Sequence, residues 1–316
     1  MPWSNKRGLE FSFAWLFALF VGAAIILLAI YGATRFIESE KILYDTRVAA
    51  ELGAILSPLE TNLESSKYYR IKLNDETRLN SICQTQGPLG EQSLSVSVQA
   101  GLGNKWAQLE TGLPSSFQNK YVFMMSGMEG TELHTFILPF SMPYKIGSLI
   151  IAYTQAYCLV SPPPFVQEEI ESLGLKNVNI VVNKNACPQE SIVVCFENTQ
   201  GCVVRITLEG DGEVGDVTYK FKTLPYYGPL IYAAMFSDQE TYECNLMRLR
   251  KRAAGLARLY AAKADILSTE GCTSGLGPEL YTYSVQLENE AISLRNLVSE
   301  ADRINQRNER LTCRLF

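Results

Sequence analysis

The stretch Phe11–Tyr31 reads FSFAWLFALFVGAAIILLAIY, 21 residues without a charged side chain. An α-helix rises about 1.5 Å per residue, so roughly 20 apolar residues cross the hydrocarbon layer of a bilayer. The stretch therefore predicts a transmembrane helix over residues 11–33, preceded by a basic leader over 1–10. Lys6 and Arg7 stand before it, while Arg35 and Lys41 after it are interleaved with Glu38 and Glu40. The bias in positive charge is small and places the N-terminus in the cytoplasm. Trp15 and Tyr31, near the two ends, suit the two bilayer interfaces. A cleaved secretory signal is the alternative; its apolar region is shorter, about 7–15 residues, and Gly32-Ala33 would be its small-residue cleavage point.

All eight cysteines, Cys83, Cys158, Cys187, Cys195, Cys202, Cys244, Cys272 and Cys313, follow the apolar stretch. An even number on one side of a span points to disulfides in an oxidising compartment, hence to a chain whose bulk is extracytoplasmic. A zinc site would need four closely spaced Cys or His ligands. Here there is no C-x-x-C pair, and His134 is the only histidine.

Hydrophobic residues make up 47% of the 316 and charged ones 19%, enough apolar material for a packed core. The net charge is −5, and about −6 once Lys6, Arg7 and Glu10 are set aside. A nucleic-acid binder would normally carry a basic surplus, so nucleic acid is not an expected partner.

Beyond the membrane segment the chain divides into three stretches. Over 34–69 apolar residues recur at helical spacing from Phe36 to Leu59, predicting a helical stalk. Residues 70–223 read as a β-rich α+β domain. Ser93–Val98 alternates strictly as SLSVSV, and Tyr121–Met125, Leu133–Leu138, Gly147–Tyr153, Val178–Val182, Ile192–Phe196, Val203–Leu208 and Val217–Phe221 are further short β-prone runs. Gly127–Gly130 and Glu197–Gly201 read as hairpin turns. Phe165–Leu173 reads as a short helix, opened by Pro162-Pro163-Pro164 and closed by Gly174. Residues 224–316 read as an antiparallel helical hairpin. Its first arm starts at a capping box with Ser237 as N-cap and Glu240 three residues on. Its second arm runs from near Glu279 through Ala301. The LPYYGPLIYAAMF stretch before it, Leu224–Phe236, reads as core, with an exposed association surface as the alternative.

The hairpin brings Cys244, near the start of one arm, towards Cys313, past the end of the other, and predicts that pair. Cys244–Cys272 is excluded because roughly 40 Å of helix would separate them. Cys195–Cys202 spans a predicted hairpin, and Cys83–Cys158 is the remaining candidate pair. Arg248, Arg250, Lys251 and Arg252 form a basic cluster, read as a solvated or ion-paired face, with anionic headgroups or a partner as the alternative. The acidic turn Glu209–Asp216 lacks the EF-hand pattern and reads as a hairpin loop with solvated charge.

No catalytic constellation emerges. His134 lies mid-strand without a recognisable partner residue and reads as structural. Gly271-Cys272-Thr273-Ser274-Gly275 misses the nucleophile-elbow pattern because its serine falls one place late. The chain is therefore read as a non-enzyme, with no cofactor and no metal.

Lys6-Arg7-Gly8 directly before the apolar run resembles the class III signal of archaeal pilins and archaellins. That resemblance implies cleavage between Gly8 and Leu9 with the helix kept on the mature protein. The chain departs from bacterial pilins in having Phe13, not Glu, at the fifth mature position, and Glu10 at the second. The whole chain resembles a family of single-pass membrane proteins of small-genome archaea with no assigned activity. The residues that carry this are Lys6-Arg7-Gly8 with Phe11–Trp15, Asn80–Cys83, Tyr227–Tyr232, Tyr242–Asn245, Gly271-Cys272 and Cys313. The expectation is a membrane-anchored α+β structural or interaction protein, a pilin-like surface subunit that packs laterally through its apolar helix. Its partners are the bilayer and other proteins or copies of itself. A monomeric cell-surface binding protein and a membrane-anchored hydrolase are the alternatives.

Overall fold

The computed structural model describes residues 13–35, 67–98, 106, 115–196, 201–219 and 222–316. Over these the chain is mixed α and β, with six α-helices and two six-stranded sheets. The apolar segment forms helix α1, Phe13–Arg35, and none of its residues is buried. The leader with Gly8 and Leu9, and stalk residues 36–66, lie outside the described residues. The last three stalk positions do not continue a helix, because Lys67–Tyr69 open a strand.

The first sheet holds β1 (Lys67–Gln84), β2 (Glu91–Val98), β3 (Ser115–Phe117), β4 (Tyr121–Phe123), β5 (Met128–Ser141) and β6 (Lys145–Tyr153), in the spatial order β3-β2-β1-β5-β6-β4. All its pairings are antiparallel except β4 with β6. Gly127–Gly130 therefore joins no hairpin: β4 and β5 lie on opposite sides of β6. Alternate side chains of the inner strands serve two different cores. Phe136 and Leu138, Leu149 and Ile151, and Tyr121 and Phe123 face the main apolar cluster. Ile137, Ile150 and Val122 face a smaller one with Leu79, Leu94, Val96 and Leu133. A sheet covered on both faces needs no polar side, which is why these strands read as continuous apolar runs.

The second sheet holds β7 (Tyr157–Val160), β8 (Val178–Val181), β9 (Ile192–Phe196), β10 (Val204–Glu209), β11 (Val214–Tyr219) and β12 (Lys222–Tyr227), in the order β12-β11-β10-β9-β7-β8. Helix α2, Pro164–Leu173, crosses over between the parallel strands β7 and β8. Proline in its first turn sets its start, and Gly174 in the left-handed conformation (φ 62°) ends it. Strands β9 and β10 also run parallel, so the expected hairpin at Glu197–Gly201 is not formed.

Leu224–Phe236 is interior, as its composition predicts. Leu224–Tyr227 finish β12, and helix α3 (Leu230–Phe236) is buried at every residue. Phe236 packs against Phe136, Tyr153 and Tyr157, with ring centroids 4.2–5.5 Å apart. Ser237 caps the end of α3, its hydroxyl donating to the Ala233 carbonyl at 2.6 Å. The N-cap of helix α4 (Gln239–Thr269) is Asp238, not Ser237; its carboxylate accepts from Thr241 N at 2.8 Å.

The second arm of the expected hairpin is broken in two, α5 (Gly277–Glu288) and α6 (Leu294–Glu309). The Asn289 side chain accepts from Ala291 N, and Ser293 caps α6 by accepting from Asn296 N, so the backbone leaves the helix between them. Helix α5 runs antiparallel to α4: Arg250 reaches Leu287 and Asn289, while Gly277 lies against Ala261 and Ala264. Helix α6 then reverses again, bringing Arg303 and Arg307 to Glu279 at the start of α5. One apolar cluster takes residues from both sheets and from α2 to α6.

Candidate functional site

Four cations on α4 dominate the polar interior. They fall at 248, 250, 251 and 252; at about 100° per residue Arg248, Lys251 and Arg252 share one side of the helix and Arg250 points to the other. Each meets main-chain oxygens of a different segment. Arg248 is fully buried, and its two Nη atoms donate to the carbonyls of Phe117, Gln118 and Lys120 at 2.9–3.2 Å. It also donates to the side-chain oxygens of Asn245 (2.6 Å) and Gln92 (3.3 Å). Arg250 donates to the carbonyls of Leu287 and Asn289 at the end of α5. Lys251 holds the carbonyls of Thr85 and Gly87 in the β1–β2 turn. Arg252 donates from Nε to the Ile146 carbonyl at 3.2 Å.

The expected solvated or ion-paired face is thus corrected. The cluster is an internal hub, and burial pulls the pKa of Arg248 and Arg250 down from the arginine value without neutralising them. Carbonyl dipoles stand in for the water the guanidinium lost. Gln92 and Asn245 complete the Arg248 site: Gln92 both donates to and accepts from Val122, and Asn245 donates to the Val122 carbonyl. Gly90, at φ 63°, leaves room for Arg248; a Cβ there would lie 2.8 Å from its Cγ.

Beside the hub, a cavity of about 260 Å³ opens between α4 and the start of β6. Its polar lining comes from Asn119, Lys145, Ser148 and Arg252, with Tyr121 and Leu256 among its apolar walls. The Tyr144 hydroxyl fixes the neighbouring turn to α4 by donating to the Ala253 carbonyl at 2.7 Å.

His134 is buried on β5 with a partner on each ring nitrogen. Tyr68 Oη is 2.6 Å from Nδ1, and Asn177 Nδ2 is 3.0 Å from Nε2. Asn177 holds a left-handed backbone (φ 60°), which asparagine tolerates better than most residues. Tyr153 stacks on the imidazole at 5.1 Å. Burial lowers the His134 pKa below its ordinary value, so the ring is neutral at pH 7.

The eight cysteines form four disulfides. Cys195–Cys202 is bonded, joining β9 to the segment just before its parallel neighbour β10 and not across a hairpin. Cys83 bonds to Cys244, which ties β1 to the second turn of α4. That replaces both the Cys83–Cys158 and the Cys244–Cys313 pairs expected from the sequence. Cys158 bonds to Cys187. Cys313 bonds to Cys272, because the break between α5 and α6 carries the C-terminal tail back to the α4–α5 loop. Lys263 Nζ meets the Leu315 carbonyl at 2.6 Å at that same end.

The turn at Glu209–Asp216 joins β10 to β11 as a hairpin. Its charge is not simply solvated: Glu209 and Asp216 both bind Arg295 of α6. Ser274 of the near-miss motif accepts a hydrogen bond from Leu276 N through its Oγ. Among the described residues no group of three His, Cys, Asp or Glu is placed to hold a metal ion.

Sequence reasoning missed the cavity and the burial of Arg248. Ring-like coordination by carbonyls leaves no mark in side-chain identity. The one available signal was the spacing of the α4 cations, which puts Arg250 on the side opposite the other three. No family model, no curated protein and no solved structure matches this chain.

Proposed function

We propose that the protein is a membrane-anchored, extracytoplasmic structural or interaction subunit, held by α1 and displayed through its disulfide-stapled body. The observation that carries this reading is α1. It presents Phe13, Phe17, Phe20, Ile25, Ile26, Leu27, Leu28 and Ile30 with half or more of each side chain exposed. Leaving so many large apolar side chains in water is untenable for one helix, and a bilayer or apposed copies of α1 would cover them. The compartment is supported by the disulfides, since cysteines bonded throughout suit an oxidising space. In the pilin-like form of this reading the leader is cut after Gly8, and α1 helices pack side by side while the bodies face outward.

Intact mass of the protein from native membranes, before and after reduction, tests the reading. The expected result is retention in carbonate-washed membranes and a gain of about two mass units per bridge on reduction. Loss of Met1–Gly8 would support pilin-like processing. A chain carrying eight free thiols would sink the extracytoplasmic placement.

A further inference from the structure

The cavity at the start of β6 has the make-up of an anion site on an acidic protein. The chain carries 33 acidic and 28 basic residues, yet the lining supplies two cations, a hydroxyl and an amide, and no carboxylate. Arg252 is half-buried, and its Nε bond to Ile146 O fixes the guanidinium plane. Among the described residues neither of its Nη atoms has a hydrogen-bond or ion-pair partner, and Lys145 has none at all. This sets Arg252 apart from its three neighbours. Arg248, Arg250 and Lys251 put their terminal nitrogens on carbonyls, and only Arg252 keeps its fork directed elsewhere. A planar fork beside a mobile ammonium matches a tetrahedral oxyanion, with bidentate contact from arginine and a point charge from lysine. The volume of about 260 Å³ admits a phosphate with a small substituent and is below that of a drug-sized pocket.

The place in the fold is informative too. Lys67, where the chain enters β1 after the anchor, pairs with Ile137, and Ile137 pairs with Ile150. Lys145–Ser148 lie beyond Ile150 at that same end of the sheet. The cavity is therefore at the end of the first sheet where β1 begins.

We infer that Arg252 and Lys145, with Ser148 and Asn119, form a binding site for a phosphate group, either free or on a phospholipid headgroup. The site stands on its own geometry and does not depend on the structural-subunit reading.

Calorimetric titration of the full chain in neutral detergent with inorganic phosphate tests it. Saturable binding is expected, weakened about tenfold or more in Lys145→Glu, whose exposed position leaves the fold untouched, and similarly in Arg252→Gln. The titration is then repeated in nanodiscs of neutral lipid and of anionic phospholipid. Phosphate binding kept in the neutral discs and lost in the anionic ones assigns the site to a lipid headgroup. Binding kept in both assigns it to free phosphate. No saturable binding in detergent, or binding unchanged in both variants, overturns the inference.

Discussion

The two long helices invert the usual relation between polarity and burial. Helix α1 exposes its apolar side chains along its whole length, while α4 carries charged side chains into the interior. Neither helix violates physical chemistry, because burial from water is not the same as lack of solvation. The side chains of α1 suit hydrocarbon. The guanidinium of Arg248 has exchanged water for the carbonyls of Phe117, Gln118 and Lys120. What decides the environment of a side chain is the partner the fold supplies, not its place on a hydropathy scale.

The contrast breaks most visibly on the α1 side. Ile25→Arg with Ile26→Arg puts two charges near the middle of the span, at about 2.5–3.5 kcal/mol each. The variant is expected to leave the carbonate-resistant membrane fraction; unchanged retention would mean that α1 does not face lipid.

On the α4 side, replacing Cys83 and Cys244 with serine opens a closure of 161 residues. Chain entropy values that at about 5 kcal/mol, against about 2 for the 7-residue Cys195–Cys202 closure. Denaturant midpoints of the two double-serine variants should fall in that order, and equal losses would refute it.

Arg248→Met keeps the bulk of the side chain and removes the donors. The carbonyls it served lose their charged donor, at about 1–3 kcal/mol for each one left without a partner. Arg295→Met is the control: its ion pairs with Glu209 and Asp216 are at the surface, and about 1 kcal/mol or less is expected. Similar losses in urea unfolding would show that burial of the α4 hub contributes nothing special.

The smallest effect sharpens the comparison with a group that must stay neutral. His134 has one partner per ring nitrogen and no ring of carbonyls, and burial holds its folded pKa below its unfolded one. The unfolded chain then takes up the proton more readily. The contribution to stability is complete above the unfolded pKa near 6.5 and is lost as pH falls through the folded value. Melting temperature should therefore drop between pH 7 and 5 in the native chain, and less in His134→Gln.

What could be read from the residues was whatever is local. The uncharged run gave α1, the SLSVSV alternation gave β2, and Pro162–Pro164 with Gly174 bracketed α2. Strand β1 escaped notice although Tyr69, Ile71 and Leu73 alternate with Arg70 and Lys72. The pairing with β5 shifts register between Lys72 and Thr77, which interrupts the period. The break between α5 and α6 was written in Asn289 and Ser293, both cap formers, but a continuing apolar seam masked it. Parallel pairing of β9 with β10 and the cysteine partners depend on distant segments, and spacing alone does not encode them. The candidate site was the least legible part. Arg252 was visible only as one of four clustered cations, and Lys145 and Ser148 became neighbours of it only through tertiary packing.

The α4 hub has an evolutionary consequence. Every residue type except at its amide nitrogen presents the same peptide oxygen, so a cation that grips carbonyls is blind to the side chains of the loop it holds. The positions of segments 85–87, 117–120 and 287–289 whose side chains are outside the core, unlike Phe117 and Leu287, can drift in sequence while staying docked, provided the path of their backbone is kept. The constraint is one-sided. In related chains Arg248, Arg250 and Lys251 would hold fast while the loops around them diverge, and a search for paired substitutions would miss a contact that organises the interior.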